Sequence, residues 1–477
     1  VLTNGAVWRL YWQDARSRAE EFFEIDLTAA LALPGFQPEL DDVPPAHALK
    51  LFYLLFQREA FLPQSWDGAG RSLHAYALNE ARRYEEKVAQ DLGQRVFTEV
   101  FPQLAQALAL GDPQAQTQKV GYGQFIRQQY TEAYLDEVRE ATLVLLYRLL
   151  FLFYAEDRNL LPVRDARYAD YSLRGLRLEV QEKTDAGGKF SSTLSKFWLT
   201  LHSVFELIDQ GDDSIGMPAY NGGLFDANRA PLLWRARIPD AVIAPLIDAL
   251  SRRTEELLRG WINYRDLSVA HLGGIYERLL DYTLVHEVVA QDAYKDVAEV
   301  NRITALPASF ARKVSGSYYT HDDLVRLILR ESTGLLARER QQAFAAHIAK
   351  SAKRSAFNPA QWGDLDALDP ASALLELKIC DPAMGSGHFL VALVDDLADR
   401  VLEAISASTQ LVNAQPWAAH LVEAGRPWES PLSARIAHIR RSIQANAKAH
   451  GWAVTDAQLD DRHMVRRMVL KKCVFGV

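Results

Sequence analysis

Residues Leu375–Val394, LELKICDPAMGSGHFLVALV, constrain the fold more than any other stretch of the chain. Leu375, Leu377, Ile379 and Cys380, alternating in part with Glu376 and Lys378, predict a buried strand. Asp381 and Pro382 end it. Gly385 and Gly387 then permit backbone angles, and a closeness of approach, that a Cβ would block. From Phe389 onward the apolar residues Leu390, Val394, Leu397, Val401 and Ile405 recur at helical spacing. Strand, glycine turn and helix in this order predict part of a mainly parallel sheet flanked by helices, with residues 316–331 packed over the turn. A ligand above such a turn meets backbone N–H groups and the positive end of the helix dipole. That suits a nucleotide-like cofactor carrying a carboxylate or a phosphate.

Three cofactors compete for the turn. A phosphate-cradling P-loop needs G-x-x-x-x-G-K-S/T, and no Lys follows Gly387. A dinucleotide fingerprint needs a third glycine near position 390, where Leu stands. S-adenosyl-L-methionine needs an acid closing the first strand, and Asp381 is placed for it. An ordinary glycine-rich turn holding no ligand is the fourth reading.

At 477 residues the chain is too long for one ordinary domain and suggests two or three. A content of 49% hydrophobic and 24% charged residues is that of a globular protein. No signal peptide is evident, and the longest apolar run, LVLLYRLLFLFY at 143–154, is interrupted by Arg148 and reads as a buried helix. Cys380 and Cys473 offer neither a disulfide framework nor zinc spacing, which fits a reducing cytoplasm. The net charge of −8 argues against a dedicated nucleic-acid arm but allows a local basic groove. Arg435, Arg440, Arg441, Arg466, Arg467, Lys471 and Lys472 are candidates for phosphate contacts, with solvation of helix faces as the competing role. The chain begins VLTNGAVWRLYW, without Met, and stops at MVLKKCVFGV, so it reads as a fragment of a longer protein.

Taken in order, residues 1–27 predict a hairpin turning at Asn4-Gly5, with a further strand at Phe22–Leu27. These strands are too few to stand alone and would close a domain lying before residue 1. Residues 45–260 read as mostly helical, with helices over 48–61, two over 68–110, one over 132–158 and one over 195–211 closed by Gly211. The Arg-, Asp- and Gly-rich segment 164–192 reads as an exposed loop, and AYNGGLFD (219–226) as a packed structural turn. Ser268 is placed to cap a helix with Leu272, Ile275, Tyr276 and Leu279 inward. His271 and Glu277 do not share a face of that helix, which opposes a metal pair. In GSYYTHDDLVRLILRE (316–331), Thr320 suits an N-cap with Asp322 and Asp323 in the first turn, and Tyr318 and Tyr319 could form a stacking wall for a purine. No P-D…D/E-x-K nuclease arrangement is present, because Pro239-Asp240 lacks the following acid-x-Lys.

DPAMGSGHFL resembles motif I, D-P-x-x-G-S-G-x-F-L, of the amino-group DNA methyltransferases, and GSYYTHDDLV resembles their motif X. LTNGAVWRLY resembles the last strands of the nuclease-like domain that precedes such enzymes. YRLLFLFYAEDRNLLP (147–162), YNGGLFD (220–226) and LGGIYERLL (272–280) resemble landmarks of their helical connector. Over nearly its whole length the chain resembles the amino-terminal part of a large adenine-specific DNA methyltransferase, of the type IIG restriction–modification or BREX- or DISARM-like phage-defence kind. The resemblance implies three parts. Residues 1–30 would be terminal strands of a nuclease-like domain, 31–260 a helical connector, and 261–477 the first part of a Rossmann-like methyltransferase domain. It implies S-adenosyl-L-methionine as cofactor, bound by Tyr318, Tyr319, Thr320, Asp381, Pro382, Ala383, Met384, Gly385, Ser386, Gly387 and Phe389. It implies double-stranded DNA as partner, mainly through later parts of the protein, other defence-system proteins as further partners, no membrane and no metal.

Two departures qualify the match. His321 stands where the family has Pro after Y-Y-T. The catalytic motif IV, N/D/S-P-P-Y/F/W, is absent, the one P-P being Pro44-Pro45. The expectation is therefore cofactor binding, weak in this fragment, with no catalytic residue in the chain. A nicotinamide or flavin Rossmann enzyme and a non-enzymatic helical scaffold remain the competing functions.

Overall fold

The structure is a computed structural model. It describes residues 1–12, 22–31, 45–120, 127–163, 165–220, 223–253, 260–267, 269–280, 282–289, 300–307, 322–351, 362–385, 387–452, 454 and 459–477. Tyr318, Tyr319, Thr320, Ser386 and the cap residue Ser268 lie outside that set. The described chain is mixed α/β, mostly helical with small sheets. No helix among the described residues is long and apolar enough to cross a membrane.

The first strands form as their pattern predicts. β1 (Leu2–Thr3), β2 (Val7–Tyr11) and β3 (Phe22–Asp26) make an antiparallel sheet in that order. Asn4 Oδ1 accepts from the N–H groups of Ala6 and Val7 while Gly5 takes φ +94°, so the tight turn rests on a short polar side chain and a glycine. Trp8 packs edge-on against Phe52 and Phe56 of α1 (Pro45–Phe56), which ties the sheet to the helical region.

That region is built around a long central helix. α2 (Leu73–Arg95) starts at Ser72, whose hydroxyl accepts from Ala75 N, and passes through a π turn (Val96–Val100) into α3 (Phe101–Gly111). α4 (Glu132–Asp157) starts at Thr131, whose hydroxyl accepts from Tyr134 N. Val138, Leu145, Leu149, Leu152 and Phe153 of α4 are essentially inaccessible to solvent. Truncating one of these leucines costs about 2–5 kcal/mol. Two charged side chains of α4 are buried with them. Arg148 donates to the Leu224 and Asp226 carbonyls, each at 2.9 Å, and lies over the Phe205 and Phe225 rings. Glu156 accepts from Tyr168 Oη at 2.8 Å and from the N–H groups of Leu173 and Arg174 at 2.7 Å. Thus the backbone at Leu224 and Asp226 is held by Arg148, and the start of the helix at Leu173 by Glu156; Asn221 and Gly222 of the AYNGGLFD stretch lie outside the described residues.

Segment 164–192 is not a loop. After a short helix (Ala166–Ala169) it forms α5 (Leu173–Asp185), with Ser172 accepting from Gly175 N. Its polar composition conceals an inward stripe of Leu173, Leu176 and Val180. Arg177, also inward, sits over Phe153 and Trp261 and donates to the Ile262 carbonyl. α6 (Lys196–Gln210) ends at Gly211, in positive φ, as predicted. α7 (Asp240–Ser251) and α8 (Val269–Leu280) follow.

Two hairpins complete the region, and neither was anticipated: β4 (Thr117–Val120) with β5 (Arg127–Tyr130), and β6 (Tyr282–Val289) with β7 (Val300–Pro307). Arg139 of α4 donates to the Leu280 and Tyr282 carbonyls, and His286 Nδ1 accepts from Tyr130 N. The apolar cluster of the helical region accordingly runs past residue 260 through Ile262, Tyr264, Ile275, Leu279, Leu284 and Ile303.

A second apolar cluster lies further along the chain. α10 (Thr333–Ser351), α11 (His388–Asn413), α12 (Pro431–His450) and α13 (Asp461–Lys472) surround it, and α9 (Asp322–Glu331) packs Val325 and Leu329 on Leu390 and Leu393 of α11 in a separate, smaller cluster. Leu397, Val401 and Ala404 of α11 meet Val465 and Val469 of α13. Two ion pairs, Arg462–Asp399 at 2.8 Å and Arg466–Asp395 at 2.6 Å, border this contact. Arg440 pairs with Asp461 and Lys472 with Glu376, so several of the candidate phosphate ligands already serve the fold. Beside α11, β8 (Ile379–Asp381) runs parallel to β9 (Val474–Gly476). The strand is shorter than its pattern predicts. Asp369 caps a one-turn helix, Pro370–Leu374, and Leu375 closes that helix instead of opening the strand.

Candidate functional site

The site is the turn between β8 and α11. The register sets Ile379 against Val474, Cys380 against Phe475 and Asp381 against Gly476. Val477 N donates to the Asp381 carbonyl and Met384 N to the Val477 carbonyl, so the second strand clasps both sides of the turn. Asp381 Oδ1 accepts from Ala383 N at 3.0 Å, fixing the chain's first change of direction. Gly385 and Gly387 then adopt φ +54° and +77°, a region costly for any side-chain-bearing residue. Gly387 is the N-cap of α11 and has no side chain to accept from the helix's first N–H groups. A 26-residue helix therefore presents its positive end at a bare glycine.

Among the predicted residues, Asp381, Pro382, Ala383, Met384, Gly385, Gly387 and Phe389 converge here. Pro382, Ala383, Met384 and Gly385 are exposed. Phe389 instead faces inward and packs beside Leu390, Leu393, Val325 and Leu329, so its role is to seat α9 against the start of α11. Tyr318, Tyr319 and Thr320 immediately precede α9 but lie outside the described residues, as does Ser386.

Three residues belong to the turn without having been predicted. Gly476 lies under Met384, and a Cβ there would collide with Met384 Sδ and press on Leu390. Val477 supplies the two backbone bonds already described. Glu277, from α8, places its Oε1 3.9 Å from where a Cβ on Gly385 would stand, the one atom of the described residues outside the turn within 4 Å of that point. Glu277 was weighed in the sequence only as a metal partner of His271, which instead faces Glu85 at 3.3 Å. The one signal for it was its place in LGGIYERLL.

Burial pushes the Cys473 thiol up, and its Sγ donates to the Leu375 carbonyl, which makes it a packing residue of the strand base. A cleft of about 430 Å³ between Gly211–Ala219 and His450–Trp452 contains none of the predicted residues. Trp452 Nε1 and Asp213 meet there at 3.0 Å and join the two regions of the chain.

The residues present fit S-adenosylmethionine. Among the described residues only Glu277 Oε1 comes within 4 Å of the space a Cβ would take at Gly385, the N-cap Gly387 places no side chain over the start of α11, and an acid closes the strand. No family model, curated protein or solved structure matches the chain.

Proposed function

We propose that this chain carries the S-adenosylmethionine-binding part of a site-specific, adenine-N6 DNA methyltransferase of a restriction–modification or phage-defence system. The carrying observation is the union, in DPAMGSGHFL, of a parallel strand closed by Asp381, a left-handed glycine turn and an uncapped long helix. On this reading β8 and β9 are two neighbouring strands of a Rossmann-like sheet, and the helical region is a connector. The N–H groups at the start of α11 receive the amino-acid carboxylate, and the glycines let it approach the backbone. Tyr318, Tyr319 and Thr320 would complete the wall from the segment before α9. When bound, the cofactor supplies a methyl group already activated by its sulfonium.

A target adenine has its amino group paired and stacked in duplex DNA, so it must leave the stack to be methylated. The 477 residues contain no N/D/S-P-P-Y/F/W to hold such a base. The proposal therefore assigns these residues cofactor binding, with DNA as the substrate of the whole enzyme.

Isothermal titration calorimetry tests this. The chain is expected to bind S-adenosylmethionine and S-adenosylhomocysteine, to lose both on Asp381→Ala, and to keep both on Arg441→Ala. Binding of NAD in their place would favour a dinucleotide enzyme. Absence of any binding by the folded chain would remove the cofactor assignment.

A further inference from the structure

Among the described residues, no apolar cluster crosses from the helical region to the region that carries the β8–α11 turn. The cluster of the helical region runs to Ile303, and the three others start no earlier than Val325. Where the two regions meet beside Trp452, the bonds between them are polar. Asp213 Oδ1 accepts from Trp452 Nε1 at 3.0 Å, and Arg167 Nη2 donates to the Gly451 carbonyl at 3.0 Å.

Each side of this joint takes its shape from its own region. In the helical region Met217 is fully buried, and Asp212 and Met217 exchange backbone bonds at 2.7 and 3.0 Å, which closes the loop 211–217 on itself. Arg167 is pinned by Asp165, whose Oδ2 lies 2.6 Å from Nη2, and rests against Gly216, where a Cβ would collide with it. On the other side α12 ends at Gly451, at φ +67°, and the Trp452 ring stacks on His450 with centroids 4.7 Å apart. Arg167, Asp213 and His450 are exposed, so parting the two sides hands their polar groups to water and uncovers little apolar surface. Between the two faces lies the cleft of about 430 Å³.

A small polar joint between separately cored regions parts without unfolding either of them. We infer that the Arg167–Gly451 and Trp452–Asp213 bonds form a releasable clasp, and that the two regions swing apart about the contact of α8 with α11. Opening widens the cleft and keeps both cores intact. The clasp involves no residue of the β8–α11 turn, so it stands whether or not that turn binds S-adenosylmethionine. Two hydrogen bonds of ordinary net strength favour the closed joint by about tenfold to a hundredfold, so the closed form dominates until they are removed.

Small-angle X-ray scattering combined with hydrogen exchange tests the clasp. The samples are the unsubstituted chain, the double variant Arg167→Ala/Trp452→Ala, and Trp452→Phe, which keeps an aromatic ring beside His450 and removes the indole N–H. The double variant is expected to shift to a larger radius of gyration and maximum dimension, while the amides of α4 and α11 exchange at unchanged rates. Trp452→Phe should shift the same way by less, because one of the two bonds remains. Unchanged scattering in the double variant, with both cores folded, would overturn the clasp. Loss of folding, or faster exchange through either core, would overturn it as well, since Arg167 and Trp452 would then be supporting the fold. Scattering by Trp452→Phe equal to that of the unsubstituted chain would overturn the part assigned to Asp213.

Discussion

Helices α4 and α11 are each 26 residues long, yet they serve the molecule in different ways. α4 is enclosed on most sides, and even its Arg148 and Glu156 are spent on holding neighbouring backbone. α11 buries one stripe and leaves its start at a glycine. α4 begins with a hydroxyl cap at Thr131, whereas α11 begins with no cap side chain at all. Burying charge with its partners nearby makes a scaffold. Leaving a helix start bare at an open turn makes a place for a ligand. On the proposed function the helical region would hold structure and the turn region the ligand, and substitutions can break or sharpen that division.

The largest effect is expected at Arg148. Its side chain is fully buried, and burial pushes its guanidinium down to about 10, so it stays charged at neutral pH. Arg148→Ala strips the Leu224 and Asp226 carbonyls of their donor and opens a cavity, at a cost of about 3–5 kcal/mol. Urea unfolding measures it, and a cost below about 1 kcal/mol would break the comparison. Affinity for S-adenosylmethionine, measured on the molecules that remain folded, should not change.

Glu156 comes next, and its effect depends on pH. Burial outweighs the three hydrogen bonds it accepts and pushes its carboxyl up to about 7. The folded state then holds the proton more tightly than the unfolded chain does. Stability is greatest below the ordinary glutamate value and falls as pH rises through about 7, by roughly 3 kcal/mol in all. Glu156→Gln should flatten that slope between about pH 4.5 and 7 in unfolding curves taken at each pH.

Glycine substitutions sharpen the contrast at a smaller scale. Gly111 is excluded from change by space, since a Cβ would collide with the Arg237 carbonyl. Gly387 is excluded by conformation, at φ +77°, with only Met384 Cγ among the described residues near a Cβ there, at 3.9 Å. Gly111→Ala should lower stability by about 1–3 kcal/mol and leave ligand affinity intact. Gly387→Ala should cost about 1–2 kcal/mol in stability and also weaken S-adenosylmethionine, because strain there moves the start of α11. Equal affinity in both variants would place the ligand elsewhere. The smallest effect belongs to Arg441, whose guanidinium, among the described residues, donates to the Ala437 carbonyl of its own helix. Arg441→Ala should change stability by no more than about 0.5 kcal/mol.

Much of this was legible in the residues. The apolar period marked α4 to within a residue, Asn4-Gly5 marked the first hairpin, and the glycine pair marked the turn before α11. Other features were hidden by composition. α5 reads as a loop because Arg, Asp and Gly crowd it, while its Leu173, Leu176 and Val180 stripe is sparse. β6 and β7 lack a short turn between them, so no local signal pairs them. The early end of the one-turn helix at Leu374 moved the start of β8.

Periodicity, caps and turn glycines act over a few residues, and the amino-acid order alone determined those: the central helix, the hairpin turn, the strand–turn–helix and its acid. Tertiary structure alone decided what meets across the chain. β9 had to pack beside β8 before Val477 could clasp the turn, and α8 had to be anchored by Ile275 and Leu279 before Glu277 could reach Gly385. Such meetings depend on the summed packing of many distant side chains, a quantity that no local pattern encodes.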